Sequence, residues 1–417
     1  MNIAKASIYS FVSTVVKMLS GLIINKAISI FVGPSGLALI GQLQNASGII
    51  QTVSSGGIAN GIIKYTAENK SRNETWSTGL RITLIFSMLS TIILLLFSKE
   101  LSQLIFHTIE YQFVILILGL MITLFSLNQF VLSIITGLSD LRLYTIINII
   151  QSFYSLILTV TLIYLYSING ALIAMVTNQS IVFFIVLYKI RSNKDIKLNM
   201  FKNAFNKNES LKLFSFSVMT LVSALSLPLS LLIIRNYIGN HLSWDYAGYW
   251  QAMIYLSSMY LLIITTLLST YYLPTLSKIK NQKELYAEIR KAYIFLMPIV
   301  ITAAIVIFYS KGIIISLLFD EKFTVMEELF KWQLIGDVIK VCSCLLSYII
   351  LAKAMTRVFI ITEIISASML ALLSIQFIDN FGFVGLSYAY AVSNFIYFFI
   401  ILVVIAWFFI SKRGENE

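Results

Sequence analysis

The sequence predicts an all-α membrane protein of twelve transmembrane helices in two six-helix lobes, and three observations predict it. Of 417 residues, 58% are hydrophobic and only 12% are charged, against about 25% charged in an ordinary soluble chain. The apolar residues fall in blocks of about 20 or more, the length a helix needs to cross ~30 Å of hydrocarbon. One long polar stretch, 189–212, divides those blocks six and six. The blocks are continuous rather than alternating with period two, which argues against a transmembrane barrel.

The first block, roughly residues 8–31, is interrupted by Lys17 and carries no small-residue cleavage site, so it reads as a retained helix rather than a signal peptide. The second, roughly 36–63, is unusually polar, with Gln42, Gln44, Asn45, Ser47 and Gln51 among glycines at 41, 48, 56, 57 and 61; glycines there permit close helix approach or bending. Blocks at roughly 79–97, 112–135, 144–166 and 170–188 complete the first half, each bounded by polar or turn residues. The second half reads as roughly 213–238, 247–272, 292–309, 329–351, 358–378 and 384–410. This gives an N-terminal lobe over 1–190, a basic linker over 191–212 and a C-terminal lobe over 213–417. The two cysteines, Cys342 and Cys344, point about 200° apart on a helix and cannot bridge.

The net charge of +11 is a topology signal. Twenty-two Lys and Arg residues fall on the side that holds both termini and the linker, four fall on the other, and four lie within spans. The positive-inside rule then places both termini in the cytoplasm, and the distribution argues against a nucleic-acid partner.

The halves look alike. Arg142-Leu-Tyr-Thr-Ile-Ile-Asn resembles Arg357-Val-Phe-Ile-Ile-Thr-Glu, and Gly170-Ala-Leu-Ile-Ala resembles Gly385-Leu-Ser-Tyr-Ala, both 215 residues apart. Six spans per copy is an even number, so both copies share one orientation. That gives a pseudo-two-fold axis along the membrane normal, the parallel-repeat plan of several transporters, in which substrate binds between the halves.

Ionisable groups inside spans are expensive and face a cavity or a partner. Lys17 sits near the middle of the first span, and Lys26 lies on its opposite face near one end. Lys64 and Arg235 lie at the ends of the second and seventh spans. In the tenth span Asp337 and Lys340, three apart, share one helix face, either as a self-neutralising pair or as a titratable switch. Glu363 in the eleventh has no helical partner and is a candidate proton carrier, or a polar residue near the interface. The amides Gln42, Gln44, Asn45 and Gln251 offer the donors and acceptors that sugar hydroxyls need. Asn128, Gln129, Asn148, Asn178, Gln179, Tyr388, Tyr390 and Asn394 add to the polar interior. No P-loop motif occurs, the histidines His107 and His241 lack metal-ligand spacing, and no catalytic set is recognisable. The expectation is therefore no catalytic residues, no metal, no cofactor, and energy from an ion gradient or downstream pull rather than from bound nucleotide.

Several stretches carry a resemblance: Ala4-Lys5-Ala6-Ser7, Gly33-Pro34-Ser35-Gly36-Leu37, Gly61-Ile-Ile-Lys64-Tyr65, Ser243-Trp244-Asp245-Tyr-Ala-Gly248-Tyr-Trp250-Gln251, Tyr272-Leu-Pro274-Thr275, and the run from Lys322 to Val341 with Trp332, Gln333, Gly336 and Asp337. In these the chain resembles the bacterial lipid-linked oligosaccharide flippases of the O-antigen and common-antigen (lipid III) type. They belong to the multidrug/oligosaccharidyl-lipid/polysaccharide exporter superfamily, whose MATE-like fold has twelve helices in two lobes. The resemblance implies an undecaprenyl-pyrophosphate-linked oligosaccharide as substrate, moved from the cytoplasmic to the periplasmic leaflet of the inner membrane by proton-coupled alternating access. It also implies association with a polysaccharide polymerase and a chain-length regulator. Lys17, Lys26, Lys64 and Arg235 would line the path of the pyrophosphate, with Asp337, Lys340 and Glu363 coupling it. Alternatives are a drug/cation antiporter on the same fold, whose cavity should be net acidic, and a membrane polysaccharide polymerase, which needs a catalytic loop.

Overall fold

The computed structural model describes residues 3–68, 72–190, 196, 198–201, 203–279, 281–353 and 355–411. Fifteen α-helices order the described chain: α1 Ile3–Phe31, α2 Gly33–Ser54, α3 Ala59–Glu68, α4 Arg72–Leu96, α5 Ser98–Phe106, α6 Gln112–Gly137, α7 Leu141–Ile190, α8 Lys207–His241, α9 Trp244–Leu267, α10 Leu273–Lys278, α11 Gln282–Tyr309, α12 Lys311–Leu318, α13 Phe330–Ala352, α14 Thr356–Phe381 and α15 Gly385–Ser411. Nine helical segments among the described residues are long and apolar enough to cross a membrane, and Leu141–Ile190 and Thr356–Phe409 run to 50 and 54 residues. Each of these two holds a pair of the expected spans.

The long segments fold back on themselves, and glycine makes it possible. In α7 the backbone leaves helical geometry at Ser167 (φ 50°, ψ −126°). A Cβ on Gly170 would then lie 1.8 Å from the carbonyl oxygen of Leu162, eight residues back and about 12 Å away on a straight helix. Between α14 and α15 the same device recurs: Gly382 has φ 62° and ψ −144°, and a Cβ on Gly385 would lie 2.1 Å from the Phe377 oxygen. Ser167 and Gly382, like Gly170 and Gly385, are 215 residues apart, so the sequence repeat is also a repeat of backbone conformation.

The correspondence extends to the broken helices. The second expected span is two helices, α2 and α3, separated by Gly56 (φ 69°) and Gly57 (φ 64°). The eighth is interrupted by a π-turn at Leu268–Tyr272 before α10. Short helices α5 and α12 follow α4 and α11 in the two halves; sequence reading did not anticipate them because they are too short to register as spans and open on polar residues, Ser98-Lys99-Glu100 and Lys311.

Contacts divide the chain into two compact units, one of residues 1–32 and 39–229, the other of 33–38 and 230–417. In the first, α6 packs on α4 and α7, and α1 packs on α7. Its core includes Ile62, Trp76, Phe130, Ile147 and Leu213. The described part of the linker, a 3₁₀ turn at Leu198–Phe201, packs on α4, with the Phe201 ring stacked on Trp76 at 5.8 Å. Buried Glu209 accepts from Thr75 Oγ1 at 2.8 Å and pairs with Lys212 at 2.7 Å, which fixes the start of α8 against α4. In the second unit α13 packs on α11 and α15, and α14 packs on α15. Its core gathers Leu268, Tyr272, Leu276, Leu345, Ile349 and Ile401.

The glycine geometry yields a contrast. Gly385→Ala is expected to destabilise by about 1–3 kcal/mol or more through overpacking against Phe377. Gly48 lies in a helix and a Cβ there meets nothing within 4 Å, so Gly48→Ala is expected to be neutral or to stabilise by about 0.5–1 kcal/mol. Thermal unfolding of the two purified variants in detergent checks the difference.

Candidate functional site

The most elaborate polar site lies inside the second unit, on α13. Asp337 is fully buried, and so is Gln333 one turn before it. Three hydroxyls donate to the carboxylate: Ser257 Oγ to Oδ2 at 2.7 Å, Tyr390 OH to Oδ1 at 2.7 Å and Tyr260 OH to Oδ2. Gln333 Nε2 in turn donates to Ser257 Oγ at 3.2 Å. A buried carboxylate costs several kcal/mol of desolvation, which hydrogen bonds to charge offset at about 1.5–3 kcal/mol each. Gly336 makes the arrangement possible: a Cβ there would lie 2.5 Å from the Tyr390 ring, so only glycine lets that ring lie against α13 with its hydroxyl at Asp337.

Asp337 and Lys340 share a helix face but form no ion pair within 4 Å among the described residues. The Lys340 ammonium instead lies 5.8 Å from the centroid of the Tyr390 ring. One tyrosine thus serves both charges, its hydroxyl on the carboxylate and its ring under the cation. Glu363 on α14 is half-buried and within electrostatic reach of Lys340.

A second cluster lies on α8 and α9. Arg235 is fully buried and Gln251 is 3% exposed. Arg235 Nη2 donates to Gln251 Oε1, and the guanidinium lies 5.7 Å from the Trp250 ring centroid. Gln251, expected to face sugar, thus spends its carbonyl on Arg235, and Tyr255 is hydrogen-bonded to the same amide. One turn earlier α9 meets the start of α2: a Cβ on Gly248 would lie 1.8 Å from the Pro34 oxygen, and Asp245 accepts from Ser35 N–H at 3.1 Å, an acidic group at a helix N-terminus. Two stretches that carry the resemblance, around Pro34 and around Gly248, are therefore one contact.

The remaining candidates lie in the first unit. Lys17 is exposed on α1 and Lys26 is half-buried further along it. Lys64 on α3 is exposed, 4.0 Å from Glu68 and 5.4 Å from the Tyr65 ring centroid. Gln42 is buried, Asn45 half-buried and Gln44 exposed. The described interior contacts of this unit are largely between neutral groups: Ser54 with Ser126 at 2.8 Å, Gln129 with Gln179 at 3.0 Å and Asn178 with Ser155. No group of three or more His, Cys, Asp or Glu among the described residues could hold a metal. Sequence reading missed Ser257, Tyr260 and Gln333. The only available signal was spacing, since Ser257 and Tyr260 stand three apart on α9 and Gln333 and Asp337 four apart on α13, each pair on one face.

Comparison with known proteins gives a consistent picture. The family model described as "Polysaccharide biosynthesis protein" matches residues 3–280. The Lipid III flippase of Escherichia coli (strain K12) is 28% identical over 402 residues, covering 95% of this chain and 97% of its own, and that of Shigella flexneri matches equally. Among solved structures, an inward-facing multidrug resistance MATE transporter of the MOP superfamily superposes with a TM-score of 0.78 at 14% identity, over 94% of each chain. The lipid II flippase MurJ, in an inward closed conformation, gives 0.73 at 14% identity, over 97% of this chain and 87% of its own. The fold is therefore that of the MATE-like exporters.

Removing one donor at Asp337 should be visible in stability. Tyr390→Phe is expected to cost about 1.5–3 kcal/mol, the worth of a hydrogen bond to a charged group. Lys340→Gln, which leaves the carboxylate's three bonds in place, is expected to cost less than about 1 kcal/mol, the range of a partly exposed cation–π contact. Denaturation of the purified variants measures both.

Proposed function

The chain belongs to the polysaccharide biosynthesis protein family, and on that premise we propose that it is a flippase for a lipid-linked oligosaccharide. It would carry an undecaprenyl-pyrophosphate-linked sugar, an O-antigen repeat unit or common-antigen lipid III, from the cytoplasmic to the periplasmic leaflet of a bacterial inner membrane. The observation that carries this reading is the near full-length match to a Lipid III flippase. Both termini would lie in the cytoplasm, as the distribution of Lys and Arg directs. A polysaccharide polymerase and a chain-length regulator are the partners such a product requires.

The chemistry follows from moving an anion through hydrocarbon. A pyrophosphate leaving water needs replacement charge, which Lys17 and Lys26 supply from α1, with Lys64 in the middle of α3. Arg235, enclosed by Gln251 and Trp250, holds α8 to α9 and contributes its field rather than a direct contact. Asp337 supplies the coupling. As a carboxylate it accepts from three hydroxyls; on taking a proton, one oxygen becomes a donor and one of those hydroxyls must turn away. Proton entry thereby reverses one of the hydrogen bonds that tie α13 to α9 or α15 and changes its strength. Lys340 and Glu363 set the local charge during that exchange, and the absence of a nucleotide-binding loop leaves an ion gradient as the energy source.

The test uses proteoliposomes loaded with an undecaprenyl-pyrophosphate oligosaccharide, with sugar exposure followed by an external glycosidase with and without a pH gradient. Wild type is expected to expose sugar faster with the gradient. Asp337→Asn should lose the gradient response, and Lys17→Ala should slow exposure by roughly ten- to a hundredfold, the loss of one interaction with a charged group. Sugar that never becomes accessible in wild type would refute the flippase.

A further inference from the structure

A groove runs between α11 and α13 in the second unit, with a volume of about 470 Å³. Ile301, Ala304, Ile305 and Phe308 line it from α11, with Leu334 and Val338 from α13. Both stripes follow helical i, i+3, i+4 spacing, so each is one continuous apolar face. Ala304 is the one small side chain in the lining and deepens the groove where its neighbours would fill it. The groove has a charged end, where α11 finishes and α13 begins. Lys331 lines it there, exposed and in no ion pair within 4 Å among the described residues. The nearby Lys311, by contrast, is paired with Glu327 at 3.2 Å.

We propose that this groove is a subsite for the polyisoprenoid tail of the transported lipid, with Lys331 at its mouth meeting the pyrophosphate. The proposal rests on the flippase reading above. Its own support is shape and charge: an apolar groove about 12 Å long ends in an exposed ammonium, which lies 5.8 Å from the Trp332 ring centroid and in no ion pair among the described residues, and so matches a hydrocarbon chain that ends in an anion. In lipid the tail is already out of water, so packing contacts rather than hydrophobic transfer favour occupancy, and the exposed ammonium adds selectivity for a phosphate-bearing head. The groove wall also reaches the carboxylate. Val338 and Tyr260 both pack against the cluster of Leu261, Val300 and Val341, and Tyr260 is a donor to Asp337, so a tail against Val338 reaches the coupling network through that shared cluster.

The experiment uses the full-length protein in vesicles of phosphatidylethanolamine and phosphatidylglycerol, with two photoreactive probes, a diazirine-bearing polyprenyl pyrophosphate and a diazirine-bearing phosphatidylglycerol. The polyprenyl probe is expected to label α11 and α13 and to be displaced by unlabelled polyprenyl pyrophosphate but not by added phosphatidylglycerol. Ala304→Trp, which fills the groove, is expected to cut displaceable labelling about tenfold as those packing contacts are lost. Lys331→Gln, an exposed change that keeps the test open where the bulky variant does not fold, is expected to lower the preference for polyprenyl pyrophosphate over polyprenol by up to about fivefold. Equal, non-displaceable labelling by both probes would make the groove a bulk-lipid surface and overturn the subsite. Displaceable labelling confined to other helices would overturn it while leaving the flippase intact. Displaceable labelling of the groove in a protein that exposes no sugar would sustain the subsite and refute the transport reading.

Discussion

A carboxylate enclosed in protein at membrane depth has no water to fall back on, so each of its lone pairs must be met by a donor the fold itself supplies. Asp337 imposes that constraint on the second unit. Its donors come from two other helices, Ser257 and Tyr260 on α9 and Tyr390 on α15, so three helices are held in register by one side chain. The bonds fix rotation about each helix axis as well as proximity, which apolar packing alone does less sharply. Gly336 follows from the same demand, since the tyrosine ring must lie where any larger residue would sit. The π-turn after α9 lies two turns beyond Tyr260 and gives α9 room to change direction once its donors are placed.

The two units are built from one plan and differ in what they bury. Each has a broken second helix, a short helix after its third span and a tight hairpin joining its last two. Such features recur because they are solutions of the backbone: a reversal within a few residues needs a residue free of Cβ at the closest approach, and both copies have one. The interiors carry no such requirement and have diverged. The described interior of the first unit is bonded mainly through neutral amides and hydroxyls, its buried Glu209 being paired with Lys212, whereas the second encloses Asp337 and Arg235. A neutral hydrogen-bonded pair has the same bonding need on either side of a proton transfer. A carboxylate ringed by hydroxyls does not, so protonation of Asp337 would change the bonding within the second unit.

What the sequence made legible follows the range of the interaction. Spans were readable because hydropathy is a sum over about twenty consecutive residues, and the duplication because Gly170 and Gly385 stand at equal places in two similar stretches. The break at Gly56–Gly57 was visible as a glycine pair, although the expected single span over 36–63 is in fact two helices. The π-turn left no trace, since its residues, Leu268–Tyr272, are as apolar as their neighbours. Asp337 and Arg235 stood out individually as charges in apolar surroundings. Their partners did not: Gln251 lies sixteen residues from Arg235 and Tyr390 fifty-three from Asp337, and only the packing of α8 on α9 and of α13 on α15 brings them together. For the same reason the i, i+3 placement of Asp337 and Lys340 was read correctly as one face, while the tyrosine ring that keeps them apart could not be read at all.

The position of α13 ties these observations to mechanism. Asp337 lies about 100° around the helix from Val338, so one rigid element presents the carboxylate to α9 and α15 and an apolar stripe to α11. A helix whose backbone is fully hydrogen-bonded cannot rotate or slide one face while leaving the other in place. Any change in the bonding of Asp337 that shifts α13 must therefore alter the width of the α11–α13 groove, and anything that wedges the groove must bear on the carboxylate's donors. The link runs through Val338 and Tyr260, which pack against the same cluster of Leu261, Val300 and Val341, and through the bond from Tyr260 to Asp337, over a distance short enough that packing transmits the strain rather than absorbing it. A charge site and an apolar groove on adjoining faces of one helix are the minimum that would let proton binding and lipid binding influence each other, and α13 has both faces.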